Sequence, residues 1–146
     1  MKYRSQRKET TITETELERL AESFGIRIDT DYEGELAVTD LGGYFTSDRR
    51  ILIRPGLGAI NRKCVIAHEL AHALRDDSPT GHPHFDQRME RATDRLAAAL
   101  LISPIEYATA EILYGPHEGA IAKELGVTKK MLTTWREAYE RKTSVS

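Results

Sequence analysis

The chain has 146 residues, 40% of them apolar and 30% charged, with a net charge of −2. That length suffices for one compact domain with an appendage, and the near-neutral balance excludes a chain-wide electrostatic pull toward nucleic acid or membrane. No apolar run approaches the roughly 20 residues of a membrane-spanning helix, and the basic, polar start MKYRSQRKETTITETE is unlike a secretory signal. Cys64 is the sole cysteine, so no intrachain disulfide forms, and a single thiol without an export signal points to a reducing cytoplasm.

Residues 1–13 read as a frayed tail. From Glu14 to Phe24, Leu17, Leu20, Ala21 and Phe24 recur at helical spacing, with Gly25 as the stop. IRI (26–28) and ELAV (35–38) are short strand candidates, and GGYFTSDRRILIRPG (42–56) reads as a hairpin around the polar turn SDRR. Together they predict a small antiparallel sheet. A helix follows from about Ala59 to Leu74, then a polar loop, RDDSPTGHPHFD (75–86), then a second long helix from about Gln87 to Ile102 that ends before Ser103-Pro104. Residues 104–142 divide into three shorter helical segments broken at Gly115-Pro116 and Gly126, and there is no internal repeat or low-complexity stretch. The order helix, small sheet, then helices is an α+β pattern.

His68-Glu69-Leu70-Ala71-His72 is an HExxH motif inside the first long helix. Residues four apart share a helix face, so both imidazoles can reach one ion. Glu69 lies about 100° round from His68, beside that face, where it can take a proton from an attacking water without ligating the metal. Neutral imidazole suits zinc, which brings a bound water's pKa to about 7. Ile66, Leu70, Ala73 and Leu74 cover the opposite side of the helix, which turns the ionisable face into a site.

A catalytic zinc needs a third protein ligand and an open position. On the second helix Met89, Ala92, Thr93, Leu96 and Leu100 form an apolar face, Arg91 and Arg95 lie outward, and Glu90 and Asp94 flank the apolar face as an i,i+4 pair. Two adjacent carboxylates leaning toward a core are costly unless a cation or hydrogen bonds compensate. Glu90 on the metal, with Asp94 accepting a histidine's second ring N–H, satisfies both; ordinary pairing with Arg91 or Arg95 is the plainer alternative. His82 and His84 are rival third ligands, ranked behind Glu90 because a rigid helix controls coordination geometry better than a loop. Cys64 lies one turn before His68 but about 12 Å along the axis from position 72, and reads as a small core residue.

At HELAHAL followed by ERATDRLAAALLISP the sequence resembles the ImmA/IrrE family of metallo-endopeptidases. Glu90 falls on that family's ligand Glu, Asp94 on its Asn/Asp, and Ala97, Ala98, Leu100, Leu101 and Pro104 on its Ala/Leu-rich run; Thr93 stands where alanine is usual and Leu96 where phenylalanine is common. The resemblance covers roughly residues 14–107. It implies a zincin-like metallopeptidase domain there, a gluzincin-like zinc site of His68, His72 and Glu90, and cleavage of a protein partner such as a phage or mobile-element repressor or other transcription regulator. Glu69 would accept the water's proton and pass it to the leaving amine. Tyr44, His84, Tyr107 and His117 are candidates to stabilise the oxyanion.

The remaining segment, 108–142, contains EGAIAKELGVTKKMLTTWREA (118–138), which reads as a helix-turn-helix. Ala122 and Gly126 occupy the small-residue positions, and Ile121, Leu125, Val127, Leu132 and Trp135 fall where the two helices pack together. Thr128 is the expected N-cap of the second helix, which would expose Lys129, Lys130, Thr133, Thr134 and Arg136 to DNA or a protein partner. Residues 104–146 carry six Lys/Arg and six Asp/Glu, a balance without the basic footprint usual for DNA binding, so a protein-binding or bracing role is favoured over DNA contact. A zinc endopeptidase is thus the first reading, a DNA- or regulator-binding protein with a structural or inactive zinc site the second, and a metal-dependent hydrolase of a small substrate a third.

Overall fold

The computed structural model describes residues 11–76 and 81–144. Three of the residues expected in the tail are placed: Thr13 caps the first helix, α1 (Glu14–Ser23), by accepting the Glu16 N–H at 3.1 Å, and Ile12 packs against the core. The α1 face carrying Leu17 and Ala21 is fully buried, while Phe24, past its end, is half exposed.

Three strands follow: β1 (Arg27–Thr30), β2 (Gly42–Phe45) and β3 (Arg50–Ile53). The hairpin β2–β3 forms as expected, with Gly42 opposite Ile53 and Phe45 opposite Arg50. The expectation of a purely antiparallel sheet is corrected: the order is β1-β3-β2, and β1 runs parallel to β3, with Ile28 opposite Ile51. The connection 31–41 carries the chain past β3 to its far side, so β3 ends up central and β1 and β3 point the same way. ELAV does not become a strand either. Asp31 accepts the main-chain N–H groups of Glu35 and Leu36, and Arg54 donates to the carbonyls of Ala37 and Val38. Side chains take the main-chain groups a ladder would need.

The motif helix, α2 (Ala59–Arg75), ends at Asp76 in the left-handed region, φ 53°. Ile66 and Leu70 are fully buried and Cys64 is in the core. The second long helix, α3 (Pro83–Leu101), begins four residues earlier than the apolar period suggests. Pro83 sits at its first position, where a missing N–H costs nothing, so the HPHFD part of the expected loop is mostly helical; residues 77–80 of that loop lie outside the described residues. The inward face of α3 also differs from the expected one: Thr93, Ala97, Ala98 and Leu101 are buried, whereas Met89, Ala92, Leu96 and Leu100 are half-buried and Arg95 is partly covered. Small side chains on this face, opposite Ala67 and Ala71 of α2, let the two helices approach closely.

The C-terminal part comprises α4 (Pro104–Tyr114), α5 (Glu118–Leu125) and α6 (Lys129–Ser144). Ser103 caps α4 by accepting the Glu106 N–H. Gly126, at φ 68°, ends α5, and Thr128 Oγ1 accepts the Met131 N–H at 3.1 Å at the start of α6. Ile121, Ala122, Leu125, Val127, Leu132 and Trp135 join the same hydrophobic cluster as Leu17, Ile51, Leu70 and Ala97. α6 packs on α3, and α4 runs unbroken through positions 107 and 108. The described architecture is α+β. Among the described residues no single helix is long and apolar enough to cross a membrane.

Candidate metal centre

Helical spacing places His68 and His72 one turn apart on α2, and α3 crosses so that Glu90 faces both. His68 Nε2 is 3.0 Å from Glu90 Oε1, His72 Nε2 is 3.4 Å from Glu90 Oε2, and the two Nε2 atoms are 3.1 Å apart. Among the described residues this is the one group of three His, Cys, Asp or Glu side chains whose donor atoms all lie within 4.8 Å of one another. Tetrahedral zinc with bonds of ~2.0–2.1 Å needs ligand atoms about 3.3 Å apart. The observed spacings bracket that figure, so His68, His72 and Glu90 are positioned to bind a metal. Three lone-pair donors turned toward one another would repel without a proton or a cation between them.

Asp94, one turn after Glu90, holds His68 from behind: Nδ1 and Asp94 Oδ1 are 3.0 Å apart. With Nδ1–H donating there, the Nε2 lone pair is free to face the centre. The Asp94 contact is the main reason the His68 pKa is raised, and the same contact holds the Asp94 carboxyl below its usual range. Burial, followed by the neighbouring His68, lowers the His72 pKa, which favours the neutral ring. Glu90 is the open side of the group, with its side chain 51% exposed.

Glu69 is buried, and burial pushes its carboxyl up to about 7; the charges of Glu90 and Asp40 add to this and His68 opposes it. It is packed from above by β2. A Cβ added to Gly42 would lie 3.1 Å from Glu69 Cγ and 2.6 Å from Val65 Cγ1, so only glycine lets the strand lie this close. Sequence reading missed Gly42, because a glycine pair at a strand start reads as turn chemistry. The alternation of β2 was the available signal, since it points positions 42 and 44 at the same helix.

The rival histidines do not enter the group. His82 occupies the N-cap position of α3, without a side-chain capping bond, and His84 lies in its first turn. Of the C-terminal residues singled out, Lys129, Lys130 and Thr133 are exposed, while Thr134 and Arg136 are half-buried. Arg136 bonds Glu118 across the α5–α6 pair at 2.9 Å, the Lys129 stem runs beside Gly119, and the charge of Lys130 acts on Asp94. Arg136 is thus paired within the molecule, while Lys129 and Lys130 are exposed. Tyr107 donates to Glu111 and packs at a tilt against the Trp135 ring, and His117 occupies the N-cap position of α5.

The family model for the M78 peptidases, described as the IrrE N-terminal-like domain, matches residues 21–134. A solved structure of a Mycobacterium tuberculosis transcriptional regulator has a similar fold, with a TM-score of 0.67 and 18% identity; the match covers 82% of this chain and 39% of that one. The chain therefore spans about two fifths of that regulator. No curated protein matches it. The family match takes in α2, α3, α5 and the start of α6, and by it the chain belongs to the M78 peptidase family, with an IrrE N-terminal-like domain.

Proposed function

We propose that the protein is a cytoplasmic zinc endopeptidase acting on a protein substrate, such as a phage or mobile-element repressor or another transcription regulator. The observation that carries this reading is the convergence of His68, His72 and Glu90 on one point with the buried Glu69 beside it. His68, His72 and Glu90 would hold a zinc ion there, which would supply Lewis acidity and an activated water at neutral pH. Glu69 takes the proton of the attacking water and delivers it to the leaving amine. Asp94 keeps His68 in the tautomer that presents Nε2. Of the four candidate oxyanion donors, Tyr44 is the one on β2, two residues from Gly42 and on the same face of the strand. The half-exposed Glu90 side leaves room for a polypeptide.

Glu69→Gln tests the mechanism. The variant should keep its zinc and lose cleavage of a regulator encoded beside it by about 10²-fold or more. Cleavage at the wild-type rate would refute the general-base role.

A second reading, a DNA- or regulator-binding protein with a structural metal site, draws on the α5–turn–α6 geometry and on the transcriptional regulator of similar fold. The ion pair of Arg136 with Glu118 and the even balance of six Lys/Arg and six Asp/Glu over 104–146 weigh against DNA contact. Salt-sensitive, sequence-selective binding to operator DNA would favour this reading, and no binding at low salt would count against it.

A further inference from the structure

Surface helices usually turn charged side chains outward, and α4 does the reverse. At about 100° per residue, Pro104, Ile105, Ala108, Thr109, Ile112 and Leu113 fill roughly half of its circumference without one charge among them. Ala110 is buried on the opposite side, with Glu106, Tyr107 and Tyr114 half-buried around it. Ile105 is 79% exposed and Ile112 85%, so the two isoleucines stand at the middle of the outward face. Leu113 adds a half-exposed edge. Bulky apolar groups held in water on a rigid helix gain nothing inside the molecule, and a continuous patch of them fits an interface.

The stripe is self-complementary. Ile105 and Ile112 lie two helical turns apart, and between them come Ala108 and Thr109. This is the spacing of a helix–helix seam, with bulky residues at its ends and small ones at its centre. A two-fold axis at the level of Ala108 and Thr109 sets Ile105 of one copy against Ile112 of the other, and the reverse, as an isologous contact requires. The small central residues let the two helices approach closely. The Thr109 hydroxyl donates to the Ile105 carbonyl at 2.9 Å, so its proton needs no water and its methyl group is left for packing.

Area sets the strength of such a contact. At about 100 Å² per buried aliphatic side chain, the exposed parts of Ile105, Ile112 and Leu113, with Pro104, Ala108 and the Thr109 methyl, supply ~300 Å² per copy. With the usual apolar fraction, the pair would bury ~1,000 Å² in all, enough for a specific contact and short of the ~1,600 Å² of a firm one. The shoulders of the stripe are acidic: Glu106 is half-buried, and Glu111 accepts the Tyr107 hydroxyl at 3.0 Å. A helix lying on an anionic membrane carries cations at such positions, so a protein surface fits better than lipid.

We propose that α4 joins two copies of this chain in an antiparallel, two-fold symmetric pair that forms reversibly in the micromolar range. The pairing is independent of the peptidase reading.

Sedimentation of the full chain over about 1–200 μM should show a monomer–dimer equilibrium with a Kd of about 10–100 μM. Ile105→Glu and Ile112→Glu should each weaken it about tenfold or more, and Ile112→Ser should do so without adding charge. Val38→Asp, at an exposed apolar residue outside α4, should leave it unchanged. Mild oxidation of mixed Ile105→Cys and Ile112→Cys chains should link the two variants to each other, Cys64 being buried. Each variant alone should link poorly, because like positions lie ~10 Å apart along the axis, beyond the ~7 Å that a disulfide spans between Cα atoms. Circular dichroism and thermal melting report whether these exposed substitutions leave the fold intact. A wild type that stays monomeric at about 200 μM overturns the proposal and leaves the face to a different protein or a lipid surface. A dimer that survives all three α4 substitutions, is lost in Val38→Asp, or cross-links like positions instead overturns it as well.

Discussion

Replacing Gly42 by alanine adds one methyl group at a crowded point of the β2–α2 contact. Its Cβ would lie 2.6 Å from Val65 Cγ1, 3.1 Å from Glu69 Cγ and 3.3 Å from the Leu52 carbonyl oxygen. Carbon atoms pack at ~3.5–4.0 Å, so Val65 must retreat by about 1 Å and the Glu69 stem by about half that. Overpacking of this kind costs ~1–3 kcal/mol, which for a domain of this size lowers Tm by about 2–4 °C per kcal/mol. Displacing Glu69 from its productive position should reduce catalysis by about tenfold, short of the ~10²-fold that a full 1 Å misplacement costs. Val65→Ala in the same chain removes the harsher clash and leaves the one with Glu69. The double variant should thus recover part of the stability of Gly42→Ala, measured by denaturant unfolding, without recovering its activity. A Gly42→Ala protein as stable and as active as the wild type would refute the close approach of β2 to the general base.

Three further outcomes follow from the buried groups. Glu69, raised from 4.5 to about 7 in the folded chain, favours folding when protonated; its charged form opposes folding increasingly from about pH 4.5 to 7. In metal-free protein Glu69→Gln should therefore be more stable than wild type at pH 8 by up to about 3 kcal/mol, with the gap closing toward pH 4; a pH-independent gap would contradict the burial argument. Asp94→Asn removes the charge that holds the His68 ring and should weaken zinc binding by about 10–100-fold in a chelator competition, with unchanged affinity excluding the positioning role. The Thr93 hydroxyl is buried without a hydrogen-bond partner, so Thr93→Val should stabilise the chain by about 1 kcal/mol in urea unfolding, and a loss of stability would mean that the hydroxyl is satisfied.

The metal-centre triad was legible because it obeys helical geometry within and between two strongly patterned helices. The four-residue interval in HExxH puts both rings on one face, and the odd placement of two carboxylates, Glu90 and Asp94, marks the partner helix. The capped turn at Thr128 and the left-handed Gly126 were likewise local chemistry, readable from residue type. What escaped reading depends on contacts distant in sequence. ELAV has strand-like residues, but Asp31 and Arg54 use its main-chain groups, and Arg54 lies 16 residues beyond Val38. The parallel pairing of β1 with β3 depends on which way the 31–41 connection passes, and no residue within β1 states that. The early start of α3 turned on Pro83, which reads as a breaker in a loop and as a favourable first residue in a helix. The inward face of α3 is set by how closely Thr93, Ala97 and Ala98 let it approach α2, so the small residues, rather than Met89 and Leu96, turned out to mark the buried side.

A zinc site made by His68, His72 and Glu90 is open to a direct check by elemental analysis of dialysed wild-type and Glu90→Ala protein. The wild type should carry one zinc per chain and the variant should have lost it or bind it far more weakly, with both proteins folded. No metal in the wild type after supplementation, or undiminished zinc affinity in Glu90→Ala, would contradict it.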